Sequence, residues 1–232
     1  MKRSAWRYLW KSEDIRKKLL ITFFLLVLYR LAANIPVPGI DRAVLASLAT
    51  AGGPGGTLVN LLDLLSGGTI SNFSILAMGV YPYITAQIII QLLVPIIPAL
   101  ERRIKDNPRE GQKLMERWTV MLTVPMAILS AVGQINIFSS FAGQQILKLY
   151  GFSGEALLPT LATLASMVAG TMFGIWLGEL ISEYGIRNQG LSLIIFAGIV
   201  ARIPATFQSL WADEQNRYIS TIFMIILTVL VI

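Results

Sequence analysis

Long apolar stretches alternate with short polar segments along this chain. Five of the stretches have the length expected of membrane-crossing helices, since about 17 to 25 apolar residues span a hydrocarbon core of roughly 30 Å. They cover residues 19–35, 76–93, 118–138, 156–177 and 191–211. A sixth apolar segment, 218–232, is shorter than a normal span, which suggests part of a larger bundle. The pattern predicts an all-α, polytopic membrane protein.

A short apolar helix is predicted directly before the second span. Its leucines recur at i, i+3, i+4 and i+7 and therefore share one helix face; they are Leu58, Leu61, Leu62 and Leu65. Glycine pairs at 55–56 and at Gly67 and Gly68 bracket the helix and permit the backbone to turn at both ends. Two helical turns cannot cross a bilayer. The arrangement indicates a movable element beside a pore.

The second span contains polar and helix-breaking residues. Pro82 removes a backbone donor, so we expect a kink at this position. Gln87 and Gln91 lie one turn apart on one face. They either form a polar patch against a neighbouring helix or satisfy the bundle interior, and the second arrangement is the commoner one.

Small residues recur in the fourth predicted span. Gly170, Gly174 and Gly178 are each four residues apart, and Ala169 precedes the first of them. Spacing of this kind lets helix backbones approach closely in a membrane. We therefore expect tight packing along this face.

Composition supports a membrane protein and excludes several kinds of chemistry. The chain is 55% hydrophobic and 14% charged, with a mean hydropathy of +0.66. It has no Cys and no His, which excludes disulfides, thiolate and imidazole metal ligands, and Ser-His or Cys-His catalytic pairs. The sequence predicts no cofactor, no metal and no enzymatic activity.

The distribution of Lys and Arg predicts the orientation. Of the 19 basic residues, 13 lie in the N-terminal segment or between the second and third spans, and Arg187 falls on the same side. Cytoplasmic loops carry an excess of Lys and Arg. The N-terminus is therefore predicted to be cytoplasmic, and the short leucine helix lies on the outer side.

Several stretches together resemble a known family. The matching stretches, in family order, are Ile35-Pro36-Val37-Pro38-Gly39-Ile40-Asp41, Leu65-Ser66-Gly67-Gly68, Pro82 to Leu92, Gly170-Thr171-Met172-Phe173, Trp176-Leu177-Gly178-Glu179 and Ile194 to Val200. On these residues the chain resembles the N-terminal half of the SecY family, the central subunits of the Sec protein translocon. One departure is the turn 185–192, where Arg187 replaces a Gly of the family pattern and one residue is added.

The resemblance implies a fold and a set of domains. The chain would form half of a pseudo-symmetric ten-span channel, with a basic interfacial segment at 1–18, five spans within 19–217 and the start of a sixth at 218–232. The leucine helix, at about 57–66, would be the plug that seals the outer funnel, and Gly67 and Gly68 its hinge.

The resemblance also implies a pore ring and a lateral gate. The ring would receive Val80 and Ile84 from the second span and Ile195 and Ile199 from the fifth. Bulky aliphatic side chains at a narrow waist exclude water and resist ions. The alternative is that these residues are ordinary bundle or lipid-facing side chains. Candidates for the lateral gate are Thr85, Gln87 and Gln91.

The partners implied by the resemblance are SecE and SecG, the SecA motor or the ribosome, signal peptides and nascent polypeptides, membrane lipids and the second half of the channel. Candidate cytoplasmic contacts are the basic residues Arg102, Arg103, Lys105, Arg109 and Arg187. They would contact ribosomal RNA phosphates or serve as topology charges near anionic lipid. The implied location is the cytoplasmic membrane.

Two other functional classes remain as alternatives for this chain. A secondary transporter also uses broken helices, but it requires polar groups that converge at mid-membrane, and the predicted spans offer few beyond Gln87, Gln91 and Gln134. An intramembrane enzyme requires a catalytic pair, and none is visible in a chain without His and Cys.

Overall fold

The computed structural model describes residues 13–41, 43–44, 69, 73–147 and 150–212, with side chains described up to residue 201. Within these ranges the protein is α-helical, and its extended pairing is limited to two isolated bridges, Pro36 with Ser74 and Ile40 with Leu147. The helices are α1 (Glu13–Ala32), α2 (Tyr81–Leu93), α3 (Pro98–Asp106), α4 (Pro108–Ala142), α5 (Leu157–Tyr184) and α6 (Gly190–Ala212), and a 3₁₀ turn occupies Gly154–Ala156.

Two helical segments in the described part of the chain are long and apolar enough to cross a membrane. They are Pro108–Ala142 and Gly154–Tyr184, and a shorter apolar segment covers Gly190–Ala201. At 1.5 Å rise per residue, α4 measures roughly 50 Å and exceeds the thickness of a bilayer core. The all-α class is confirmed for the described residues, while the arrangement of five spans stays a prediction.

The second predicted span begins later than expected. Residues 73–80 form consecutive turns, and α2 starts only at Tyr81. The predicted kink at Pro82 is wrong, because Pro82 lies in the first turn of α2. A proline in the first helical turn costs no intrahelical hydrogen bond, so it starts a helix without bending it. Gly79, with φ of +54°, supplies the backbone turn just before α2.

The charged stretch 98–117 between the second and third predicted spans is helical except at Asn107. It contains α3 and the first turns of α4, separated by Asn107. A proline stands in the first turn of each helix, where its fixed φ favours the start of a helix. The two helices pack closely, because a Cβ at Gly111 would lie 2.8 Å from the Cα of Ile104.

The close packing predicted for the glycines of the fourth span is confirmed. α5 contacts α1, α4 and α6. At Gly170, an added Cβ would collide with the carbonyl oxygen of Ile75. At Gly178, it would lie 2.7 Å from Cδ2 of Leu191 on α6. Gly174 leaves ordinary contact distance to its neighbours.

Two apolar cores hold the helices together. The first joins α4, α5 and the turns before α2, and in it Phe73 contacts Phe138 edge to face with ring centroids 5.7 Å apart. The second joins α1, α2, α5 and α6 around Tyr29, Leu76 and Ile194. Both cores use residues of the non-helical segment 73–80, which therefore fills the space between α-helices.

The turn after α1 is bonded to three other parts of the bundle. Val37 donates its N–H to the carbonyl of Phe73 over 3.0 Å, and Asp41 donates to that of Ile146 over 2.8 Å. The hydroxyl of Thr163 on α5 donates to the carbonyl of Pro38 over 3.0 Å. These bonds hold residues 37–41 and 73 together at one end of the bundle, which is called its rim below.

We predict that Gly170→Ala destabilises the bundle. The added methyl group meets the backbone of Ile75, which cannot move aside as a side chain can. Overpacking of this kind costs about 1–3 kcal/mol or more. The thermal unfolding midpoint of the purified chain in detergent is expected to fall.

Gly133→Ala on α4 is the matched control, because nothing lies within 4 Å of a Cβ added there. This substitution should leave the midpoint unchanged or raise it slightly, since alanine has the higher helix propensity. Equal midpoints for the two variants would contradict the close contact at Gly170.

Candidate functional site

The first pair of ring candidates lies at the start of α2. Val80 is the N-cap residue of α2, and its carbonyl accepts the N–H groups of Tyr83 and Ile84 over 3.1 Å. Its side chain is buried in the second core, and Ile84 packs against that core while half-buried. A Cβ added at Gly174 on α5 would lie 3.9 Å from Cγ1 of Val80. Val80, the first residue of the pair, therefore packs against α5.

The second pair lies on α6 and faces outward. Ile195 and Ile199 are 38% and 40% exposed, whereas the adjacent Ile194 is 1% exposed. The second core includes Ile194 but neither Ile195 nor Ile199. Their spacing of one turn still places both on one face of α6. That the two pairs meet at one waist stays a prediction.

Two of the three gate candidates, Gln87 and Gln91, lie on an exposed stripe of α2, whereas Thr85 is half-buried on another face. Gln87 and Gln91 are exposed, so neither is buried among the described helices, and whether they face the interior of a larger bundle stays a prediction. Thr85 donates its hydroxyl to the carbonyl of Tyr81 over 3.1 Å. Ile84, Gln87 and Gln91 follow the spacing i, i+3 and i+7 and share one flank of the helix. This flank carries the half-buried isoleucine and two exposed amides in one line.

The proposed plug is not among the residues that the structure describes. Leu58, Leu61, Leu62 and Leu65 lie outside the described residues, as do Gly67 and Gly68. The N-terminal residues 1–12 and the sixth segment, 218–232, are outside them too. These assignments stay predictions.

The basic candidates occupy two places. Arg102, Arg103 and Lys105 are exposed on α3, and Arg109 is exposed in the first turn of α4. Lys105 donates to Glu101 over 2.7 Å, and this hydrogen bond, together with the carboxylate charge, raises the pKa of Lys105. Glu101 is thereby already engaged by a cation of its own helix.

Arg187 lies in the turn between α5 and α6. Asn188 has φ of +57°, and the N–H of Gly190 donates to the hydroxyl of Ser182 over 3.0 Å. Gly190 also packs directly on the carbonyl of Gly178, which explains the need for glycine at the start of α6. Arg187 itself is exposed. The stretch that departs from the family pattern therefore forms a short turn.

Two buried polar atoms bear on the transporter alternative. Within the described residues, the side-chain oxygens of Gln134 on α4 and Thr171 on α5 are buried and have no hydrogen-bond partner. The part of the chain that the structure describes contains no group of three or more His, Cys, Asp or Glu that could hold a metal ion. Two isolated polar atoms do not make a substrate site, because such a site requires several groups that converge on one ligand.

An apolar cavity of about 240 Å³ lies between α2, α3 and α4. Leu93 contributes from α2, Leu100 from α3, and Leu114, Met115 and Trp118 from α4. The cavity could not be predicted from the apolar spans alone, because α3 lies in the charged stretch between the second and third predicted spans. The signal available was the apolar spacing of Ile97, Leu100 and Ile104.

Comparison with known proteins identifies the family. The protein-family model described as SecY matches residues 74–232, which include α2 to α6 and all four ring candidates. The chain belongs to the SecY family. The resemblance seen in the sequence is thereby confirmed.

Curated SecY relatives align with most of the chain. Protein translocase subunit SecY of Streptomyces griseus is 37% identical over 220 residues, covering 92% of this chain and 48% of that protein. The relative from Haemophilus influenzae is 39% identical over 208 residues, covering 88% and 44%. That from Escherichia coli K12 is 38% identical over 219 residues, covering 94% and 47%. This SecY-family chain thus spans about half the length of the curated relatives it matches.

Proposed function

We propose that this chain forms the N-terminal half of a protein-conducting channel in the cytoplasmic membrane. The observation that carries the proposal is the SecY family match over residues 74–232. The relatives are named protein translocase subunits. The substrates would be unfolded secretory polypeptides, which cross the membrane, and membrane segments, which leave the channel sideways into lipid.

The proposed constriction combines Val80 and Ile84 with Ile195 and Ile199. A ring of aliphatic side chains excludes water and therefore raises the barrier to ion passage. It can also deform around a polypeptide of any sequence, because it offers no fixed hydrogen bonds. The exposure of Ile195 and Ile199 supports this role for the second pair, since side chains that seal a pore with a second half must face away from their own half. Val80 is buried in its own half, so exposure gives it no such support.

The stripe on α2 supports a water-filled vestibule below the ring. Gln87 and Gln91 continue the flank of Ile84 along α2, and both are exposed. Exposed amides are costly against lipid tails, because neither oxygen nor N–H groups find partners there. We infer that this flank faces the pore or the lateral gate.

The plug is proposed for residues 57–66, with Gly67 and Gly68 as its hinge. The bonds of Val37 to Phe73 and of Asp41 to Ile146 support this assignment. They fix the flanking segments to one rim of the bundle, so an element between them stays within reach of that rim.

The proposed partners follow from the family. SecE, SecG and the second half of the channel would complete the pore, and the SecA motor or the ribosome would deliver signal peptides and nascent chains. Arg102, Arg103, Lys105, Arg109 and Arg187 are the candidate contacts on the cytoplasmic side. No chemical reaction is proposed. The name of the relatives, translocase, favours this function over a secondary transporter.

We predict that replacing Ile84 and Ile195 by Ser raises the resting ion conductance of the channel. Two hydroxyl groups would wet the waist and lower the barrier that ions meet. A reduction of about 1.4 kcal/mol raises the flux tenfold. The measurement is conductance in planar bilayers of a chimera in which residues 1–232 replace the matching part of the E. coli relative.

The matched control replaces Ile89 and Val200 by Ser. Both are exposed, and each stands about 140° around its helix from Ile84 or Ile195, outside the proposed ring. Unchanged conductance in the ring variant, or the same increase in the control, would contradict the ring assignment.

A second prediction concerns the stripe on α2. Residues 1–232 contain no Cys, so a single cysteine introduced into them is the one thiol of this part of the chimera. Gln91→Cys should react with a membrane-impermeant maleimide roughly tenfold faster than Leu92→Cys, because a thiol in water ionises more readily than one in lipid.

Leu92 is a suitable control, since it is 64% exposed and stands about 100° around the helix from Gln91. The reaction is followed by mass shift in intact membranes carrying the chimera. Equal reaction rates at positions 91 and 92 would contradict the proposal that the flank with Gln91 is in water while the flank with Leu92 is in lipid.

A further inference from the structure

The cavity between α2, α3 and α4 is apolar and reaches the surface. Its volume is about 240 Å³, and seven of its eight lining side chains are apolar. Trp118 in its wall is 53% exposed, so the cavity is not sealed within the core. Apolar cavities of about 150 Å³ stay dry and bind small hydrocarbons. A cavity of this kind favours an apolar occupant over water.

A single cationic side chain, Arg103 of α3, completes the lining. Arg103 is exposed and has no ion pair among the described residues. Of the two acids on the same helix, Glu101 is bonded to Lys105 over 2.7 Å, and Asp106 forms no ion pair with Arg103. Arg103 thus offers a guanidinium at an apolar cavity, and a guanidinium binds phosphate oxygens in a bidentate manner.

The position of α3 places the cavity at the level of the lipid headgroups. α3 has nine residues and carries Glu101, Arg102, Arg103, Lys105 and Asp106, so it cannot cross a membrane. It packs on the first turns of α4 through Gly111 and Ile104. Trp118 follows on α4, and tryptophan is enriched where hydrocarbon meets headgroups. The cavity has a cation at one end and apolar side chains along the rest, as a phospholipid has a charged headgroup and apolar acyl chains.

We propose that this cavity binds one membrane phospholipid, with an acyl chain against Leu93, Leu114 and Met115 and the phosphate at Arg103. A partner helix is about 10 Å wide with its side chains, so only single side chains of it would enter a cavity of about 240 Å³. The proposal rests on the membrane location proposed above. It does not depend on the conduction of protein.

The experiment uses a phosphatidylglycerol that carries a photoreactive diazirine in its acyl chain. The full 232-residue chain is purified in detergent with this lipid, irradiated and digested, and the labelled peptides are identified by mass spectrometry. We expect labelling to concentrate on the cavity residues of α2 and α4. Phosphorus-free diacylglycerol with the same acyl chain should label these residues roughly fivefold less, the effect of one arginine near a lipid phosphate.

Two pairs of variants test the two ends of the site. Met115→Trp fills the cavity and should lower the labelling about tenfold, because several methylene groups of the acyl chain lose their contacts with the cavity wall. Met121→Trp is its control, since Met121 is 75% exposed on the same helix and does not line the cavity. Arg103→Gln should lower phosphatidylglycerol labelling roughly fivefold. Arg102→Gln, which removes the same charge outside the cavity, should leave it unchanged.

Several outcomes would overturn the proposal. Even labelling along α4 that Met115→Trp does not change would mean ordinary annular lipid. Equal labelling by the two lipids would exclude the role of Arg103. Protein cross-links from the cavity to another segment, in place of lipid labelling, would mean that a polypeptide occupies it. If Met115→Trp lowers the thermal midpoint, Leu114→Phe serves as the second cavity-filling variant. None of these readouts involves translocation, so each is separable from failure of the channel proposal.

Discussion

Close approach of polypeptide backbones along α5 is the contact on which this structure depends. Gly170 lies against the carbonyl of Ile75, and Gly178 lies against Leu191 and Gly190. In a membrane there is little hydrophobic force between helices, so close van der Waals contact must provide much of the association energy. Because α5 meets α1, α4 and α6, it is the common neighbour that positions these three helices, while α2 and α3 pack on α4.

The same contact explains why a non-helical segment can run through the bundle. Residues 73–80 expose backbone groups that lipid could not satisfy. Here the N–H of Ile75 bonds to the carbonyl of Ile35, and that of Ser74 bonds to the carbonyl of Thr69. Leu76 and Phe73 are buried against α4 and α5. The missing side chain of Gly170 leaves the room for this segment, and the segment in turn sets where Val80 begins α2.

Hydrophobic periodicity and glycine spacing predicted much of the fold. The third, fourth and fifth predicted spans all lie within observed helices or within one residue of their ends, and the role of Gly170 and Gly178 was recognised correctly. The start of α2 was predicted too early, because Leu76 and Ala77 are apolar for a reason other than helix formation: they are buried in turns. Pro82 was interpreted as a kink because its distance from the start of the helix could not be seen in the pattern.

The polar regions were predicted less well. Stretch 98–117 falls between two predicted spans because its charges outweigh its apolar residues, yet two prolines start helices within it. The exposure of Gln87 and Gln91 depends on which flank of α2 meets α4, and no local pattern states this. For the candidate site, the sequence indicated which residues share a helix face. It could not indicate that Ile194, and not Ile195, points into the core.

The bonds around the turn after α1 have a consequence for the length of the chain between them. Val37 and Phe73 are joined directly, so the two ends of the stretch 38–72 meet at one point of the bundle. For a chain whose ends already meet, doubling its length changes the closure entropy by only about 0.6 kcal/mol. Insertions and deletions in that stretch are therefore thermodynamically cheap for the helices, and evolution can remodel it while the rest of the bundle stays the same.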